Sequence, residues 1–348
     1  MKKLLIPLFF LTFFLIQSCS NTEKVIDTTK DTWRILASVN AQSPSLMLIQ
    51  FPDDTILSND VYSANNSGQS LPGPVVKIAE FRGLLYLFIP SQYVIKVINK
   101  STFKLVGTID YTADKLVPTD ICFANATDAY VAHGADTVVS LVDLTNYAVA
   151  RKIKVGKHPV AIACSGNQIY VANQADNTVS VIDSRTHNQV ALIPVQTAPT
   201  YVAMNSEGLQ AIVISLGAGK LDSTISKTAA QGTLIDITTR AVINTLDLNA
   251  GSTNAVDIIP YGIAVSKYDW AYIPSQICLL SYDARSGNRV NFIQSVAYNS
   301  IYYNYIRDEL LVLQNNSNVY SAMTLDMDSY NPKATHTFAL SVNFVFPL

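Results

Sequence analysis

Charge is scarce in this sequence: Lys, Arg, Asp and Glu together make up 14% of the residues, and the formal net charge is −2. Neutralising phosphates or anionic headgroups takes a concentration of Lys and Arg, so this balance argues against electrostatically driven binding to nucleic acid or to an acidic lipid surface. Histidine is rarer still, with four copies. His133 and His158 fall beside expected loops, His187 sits in a Thr-His-Asn turn, and His336 lies in the last outer strand. A metal centre needs several donors that converge, and neither a His-x-x-x-His nor a Cys-x-x-Cys-His pattern occurs, so zinc proteolysis and c-type haem find no support. Also missing is the Gly-x-Ser-x-Gly elbow of a nucleophilic hydrolase. Gly217 and Gly219 form a lone glycine pair with no readable helix after it, which makes no phosphate loop. The close carboxylates Asp53/Asp54, Asp308/Glu309 and Asp326/Asp328 read as solvated turn or strand positions. A non-catalytic protein without a bound cofactor is expected.

Lys2 and Lys3 open the chain, residues 4–16 form an apolar run, and Ser18-Cys19 follow. The run is shorter than the ~20 apolar residues needed to span a bilayer, so it reads as a secretory segment. The ending Ile16-Gln17-Ser18-Cys19 resembles a lipobox, with Gln17 as a departure from the usual residue. That resemblance implies a signal peptide over 1–18 and lipidation of Cys19. Residues 19–32 are polar and aperiodic, as befits a flexible tether. The expected location is the outer membrane, held by lipid alone and facing the cell surface, with the periplasmic face as the alternative. From residue 33 to 348, one large β-domain is expected.

What the sequence has in abundance is β pattern: 49% of residues are apolar and 18 are Tyr. A repeat organises it. Tyr130-Val131-Ala132-His133, followed by Val139-Ser140-Leu141-Val142-Asp143, returns 40 residues later as Tyr170-Val171-Ala172-Asn173 and Val179-Ser180-Val181-Ile182-Asp183. Each unit leads into a strand opened by proline, at Pro159 and Pro199. Weaker copies end a strand near Gln50, Asn99, Asp236, Asp283 and Asp326, which makes seven units at the spacing of a four-stranded blade.

These segments resemble the Tyr-Val-Thr-Asn signature of YVTN propeller repeats, most closely at Thr178–Asp183. The resemblance, joined to the seven units, implies an all-β fold: a seven-bladed β-propeller of four-stranded antiparallel blades. Residues 33–38 enter the pattern at a second strand, and residues 342–346 supply an apolar strand after the last unit is complete. The C-terminal strand is therefore expected to complete blade one and to remove exposed sheet edges. Cys122, Cys164 and Cys278 lie in apolar strand patterns of separate units. Cys122 with Cys164 is the pair that adjacent blades would allow, but free buried thiols are the expectation, since such cysteines behave as small hydrophobes.

In a propeller, the loops from second to third strand and from outer strand to the next inner strand share one end of the ring. The candidate binding residues on that end are Tyr93, Tyr111, Asp136, His158, Gln174, Asn177, Tyr201, Tyr261, Gln276, Tyr298 and Asn315. Two insertions, residues 217–232 and 249–260, add to it. Tyrosine and amides make a neutral surface suited to a polar uncharged ligand or a protein. Tyr111 and Tyr201 have a plainer reading as staples between blades. Lipoproteins of Bacteroidetes with similar propellers bind cobalamin and pass it to TonB-dependent transporters, so the resemblance implies a corrinoid ligand and such a transporter as partner. The alternative is a scaffold subunit of an envelope complex, and enzymatic propellers of the lactonase or lyase kind come third.

Overall fold

Short runs in which Val, Ile and Leu alternate with small or polar residues can bury both faces only by stacking sheet on sheet, and the chain does so seven times around a ring. The structure is a computed structural model that describes residues 32–40, 43–220, 224, 226–248, 258–294 and 296–348. The expected signal peptide, Cys19 and nearly all of the tether lie outside the described residues, as do residues 249–257 of the second insertion and residues 221–223 and 225 of the first.

Seven four-stranded antiparallel sheets form the blades. Their innermost strands are Ser341–Pro347, Lys77–Phe81, Pro118–Phe123, Pro159–Ser165, Pro199–Met204, Ala264–Val265 and Ser300–Asn304, for blades one to seven in turn. The C-terminal strand pairs antiparallel with Trp33–Asn40, placing Phe346 opposite Leu36, so the last strand closes the ring as the sequence implied. Seven clusters of buried apolar side chains lie one at each blade interface. One joins blades one and two through Leu36, Leu46, Leu85, Leu87 and Phe346. Another joins blades seven and one through Leu311, Leu313, Ile35 and Val345. Each Val, Ile or Leu so buried contributes about 1.5–3 kcal/mol.

The repeat residues do identifiable work. Asn173, fully buried, donates from Nδ2 to Thr178 Oγ1 at 3.0 Å and Ser180 Oγ at 2.9 Å, tying the second strand of blade four to the third. In blade three His133 takes that place and meets Ser140 Oγ at 2.7 Å. In blades three to six the terminal Asp of the third strand closes the turn that follows: Asp143 accepts from Thr145 N, Asp183 from Arg185 N, Asp236 from Thr239 N and Asp283 from Arg285 N, at 2.7–2.8 Å. Asn99 does the same for Ser101 and Thr102, at 2.9 Å. A short polar side chain that folds back on the backbone two residues on is what such turns require.

Two features depart from expectation. Cys122 and Cys164 are bonded to each other, with Cα atoms 5.7 Å apart, which corrects the free-thiol reading; Cys278 is free and buried. The cause is strand parity. The repeat equivalent of Cys122 is Ala163, because the two face Tyr130 and Tyr170 across their strands. Cys164 comes one residue later, so its side chain turns the other way, towards blade three and Cys122. Secondly, the link from blade one to blade two carries a helix, Val61–Asn65, capped by Asp60, whose carboxylate accepts from Ser63 N at 3.2 Å. Asn66 then bonds Phe103 O at 2.9 Å and Leu105 N at 2.7 Å, at the far end of blade two. This link straps the outside of the blade junction.

Candidate functional site

The two loop classes do meet at one end of the ring, here called the loop end; the short turns from first to second and from third to outer strand make the turn end. At the loop end the candidate residues divide into three groups by what their side chains touch.

Polar candidates of blades three to seven fasten loops. Asp136 accepts from Thr137 N at 2.6 Å, and its carbonyl accepts from His158 N at 3.0 Å. The His158 carbonyl accepts from Gln174 N at 2.8 Å, and Gln174 Nε2 donates to Thr200 Oγ1 at 2.9 Å. Asn177 accepts from Ala198 N at 2.9 Å, Gln276 from Ile259 N at 2.8 Å, and Asn315 from Asn318 N at 3.1 Å. His158 and Asn177 stay exposed in left-handed backbone, with φ of 52° and 55°.

A second group is interior, which corrects its placement on the surface. Tyr111 is 1% exposed, edge-on to His133 at 4.6 Å between ring centroids, in the cluster between blades two and three. Tyr298 is 5% exposed in the cluster between blades six and seven. Both sit in loops by chain position, but the wedge between blades widens outwards and takes an aromatic ring. Tyr93, half-buried in left-handed backbone after the turn Pro90–Gln92, packs beside Tyr111 and accepts the Tyr111 N–H at 2.9 Å.

Tyr201 and Tyr261 form the third group and face the central channel. This cavity, about 580 Å³, is lined by inner strands of all seven blades. Pockets of drug-sized ligands occupy about 300–1,000 Å³. On one wall the Lys77 ammonium pairs with the Asp120 carboxylate. Asp120 also accepts from Ile121 N at 2.8 Å and Ile162 N at 3.1 Å, so one carboxylate clamps the inner strands of blades two, three and four. The opposite wall is tyrosine and amide: Tyr201, Tyr261, Asn299, Tyr302 and, from the C-terminal strand, Asn343. The Tyr201 and Tyr302 hydroxyls have no hydrogen-bond partner among the described residues. Burial pushes the Tyr201 phenol up to about 12 and raises that of Tyr302 as well, and a phenol is a protonated donor at neutral pH with or without that shift.

Lys77, Asp120, Tyr302 and Asn343 were not among the sequence candidates. A signal for the position existed. Asp120, Ala161 and Tyr201 each stand two residues after the proline that opens an inner strand, at Pro118, Pro159 and Pro199, and all three line the channel.

No family model matches this chain, and no curated protein matches it. Among solved structures, a chain of Kuenenia stuttgartiensis hydrazine synthase superposes with a TM-score of 0.50 at 16% identity, covering 74% of this chain and 97% of that one. The likeness is one of fold: both chains build a β-propeller ring, and at that identity nothing about the channel residues passes from one to the other.

Proposed function

We propose that this chain is a non-catalytic binding protein whose channel, entered from the loop end, takes a polar ligand rich in hydroxyl or amide groups. The observation that carries the proposal is the pair of unpartnered, protonated hydroxyls of Tyr201 and Tyr302 in a cavity of ligand size. Both hydroxyls open onto the channel, where a ligand oxygen can accept from them in exchange for water. On the opposite wall Lys77 is paired with Asp120. Thermal-shift screening of neutral sugars, nucleosides and amides, followed by calorimetry, tests the reading. Saturable binding that Tyr201→Phe and Tyr302→Phe both weaken supports it; binding indifferent to both changes would sink it.

The finer reading joins this to the lipobox resemblance: a lipoprotein with signal peptide 1–18 and lipidated Cys19, displayed at the outer membrane, that captures a corrinoid and hands it to a TonB-dependent transporter. Support comes from the YVTN-like repeats, and from the Cys122–Cys164 disulfide, which suits an oxidising compartment outside the cytosol. A corrinoid far exceeds a drug-sized ligand, so it would lie across the loop end over the channel mouth. Calorimetry with cyanocobalamin decides, and silence at micromolar concentration removes that ligand while leaving smaller ones.

A scaffold role is the second reading, favoured by apolar side chains exposed on outer strands, among them Val106, Leu192 and Ile243 at about half exposure. A stoichiometric protein partner, recovered by pull-down from solubilised membranes and lost on changing those residues to Asp, would favour it.

A further inference from the structure

The turn end carries an aromatic patch of which Tyr305 also reaches the channel lining, while Tyr268, Trp270 and Ile306 stand outside it. Between blades six and seven, Ile306 is 89% exposed, Tyr268 61%, Tyr305 59% and Trp270 37%. Large apolar side chains exposed together mark a contact surface more often than chance scatter does. These four stand on two neighbouring turns that are firmly held. Lys267 pairs with Asp308 across the gap at 3.2 Å, Tyr303 donates to the same carboxylate at 2.5 Å, and Tyr305 donates its hydroxyl to Val265 O at 3.0 Å. Arg285 joins Glu207 of blade five, at 2.8 Å, to Asp269 of blade six. The backbone under the patch is thus fixed while the side chains project.

What covers the patch is indicated by where the chain enters the ring. The guanidinium of Arg307, the residue after Ile306, lies over the Trp33 ring at 5.5 Å. Trp33 begins the second strand of blade one at the turn end, so the described chain enters the ring next to Arg307, the neighbour of Ile306. Fourteen residue steps separate Cys19 from Trp33, and an unstructured chain of that length would span roughly 20 Å root-mean-square. A lipid on Cys19 would keep the turn end within that distance of the bilayer. Trp and Tyr favour the headgroup boundary, where the ring is apolar and the polar edge stays wet, and Lys and Arg beside them can reach the phosphates. The basic groups here, Lys267, Arg285 and Arg307, each have an acidic partner, so the patch does not select for anionic lipid.

We propose that Tyr268, Trp270, Tyr305 and Ile306 dock onto the lipid interface of the membrane that holds Cys19, orienting the propeller with its loop end away from the bilayer. The proposal rests on the lipid-anchor reading. Anchoring makes docking intramolecular, so a patch too weak to bind vesicles tightly alone still sets the orientation.

The two tryptophans, Trp33 and Trp270, allow a direct test. Full-length protein is reconstituted into phosphatidylcholine vesicles with brominated acyl chains, and quenching of tryptophan emission is measured for wild type, Trp33→Phe and Trp270→Phe. Quenching that persists in Trp33→Phe and vanishes in Trp270→Phe supports docking. Protein that floats with the vesicles while Trp270 stays unquenched overturns it and leaves the anchor intact. Mass spectrometry of Cys19 reports the anchor separately. The unlipidated Cys19→Ala protein titrated with the same vesicles should still be quenched at high lipid, with affinity lowered roughly tenfold or more by Ile306→Asp. Equal affinity of that variant, or a protein partner that Ile306→Asp releases without any vesicle quenching, also overturns the proposal.

Discussion

Cys122 and Cys164 join the innermost strands of adjacent blades, with 42 positions of chain between them. Closing a loop of that length in the unfolded chain is worth about 4 kcal/mol by chain entropy. The paired change Cys122→Ala with Cys164→Ala is therefore expected to lower unfolding free energy by about 2–4 kcal/mol in denaturant titration. Reduction of the wild type should reproduce the loss. Equal midpoints for oxidised and reduced protein would count against the bond as a stabilising link.

His133 is fully buried, and burial pulls its imidazole down to about 4. The unfolded chain, titrating near 6.5, takes up the proton first. The stability this neutral histidine contributes is therefore present above about pH 6.5 and is lost progressively as pH falls towards 4, by roughly 3 kcal/mol at most. His133→Asn copies the residue that blade four carries at this place, Asn173. Unfolding at pH 7 and pH 4.5 should show a smaller acid loss in the variant than in wild type, and an identical loss would contradict the neutral buried state.

How much could be read in advance depended on whether a side chain's role follows from local chain geometry. The third-strand ends at Asn99, Asp143, Asp183, Asp236 and Asp283 were legible because each carboxylate or amide folds onto its own next two or three residues. Ring closure was legible because a strand was missing at one terminus and spare at the other. Roles set by packing across blades were not. Tyr111 follows an outer strand and Tyr201 stands within an inner one, and although the pattern put both on the loop face, one fills a wedge and the other faces the channel. The Lys77–Asp120 pair joins residues 43 positions apart, and the strap helix has five residues, too few to show a helical period.

Gly107, on the outer strand of blade two, lies beneath the Tyr147 ring of blade three: an added Cβ would stand 2.2 Å from Tyr147 Cδ2. Gly107→Ala should cost about 1–3 kcal/mol by overpacking. The Tyr147→Ala change, damaging alone, should then cost little further in the Gly107→Ala background. A double-mutant cycle by urea unfolding checks this, and strict additivity would mean that the ring does not rest on the glycine.

Tyr302 lines the channel with a hydroxyl that has no protein partner, so Tyr302→Phe should leave stability within about 0.5 kcal/mol of wild type. Affinity for a channel ligand should fall by roughly twofold to tenfold, the worth of one neutral hydrogen bond. Calorimetry and chemical unfolding read the two effects separately. A fall in stability above 1 kcal/mol would mean the hydroxyl serves the fold.

Phe346 and Phe344 stand two positions apart on the closing strand, opposite Leu36 and Ser38, and touch the same cluster with different burial. Phe346, 1% exposed, sits edge-on to Tyr302 at 4.9 Å in the cluster between blades one and two, whereas Phe344 is half-buried and lines the channel. Phe346→Ala should cost about 3–5 kcal/mol, the range for emptying a buried aromatic site, and Phe344→Ala clearly less. Because Val345 belongs to the next cluster, between blades seven and one, this strand is gripped from both sides. Loosening it should open the ring before the blades melt. Hydrogen exchange in Phe346→Ala should therefore quicken first in the strands Trp33–Asn40 and Glu309–Asn316 that flank the closure, with Gln168–Asn173 across the ring protected longest. Uniform acceleration across all seven blades would show instead that closure and blade stability are one cooperative event.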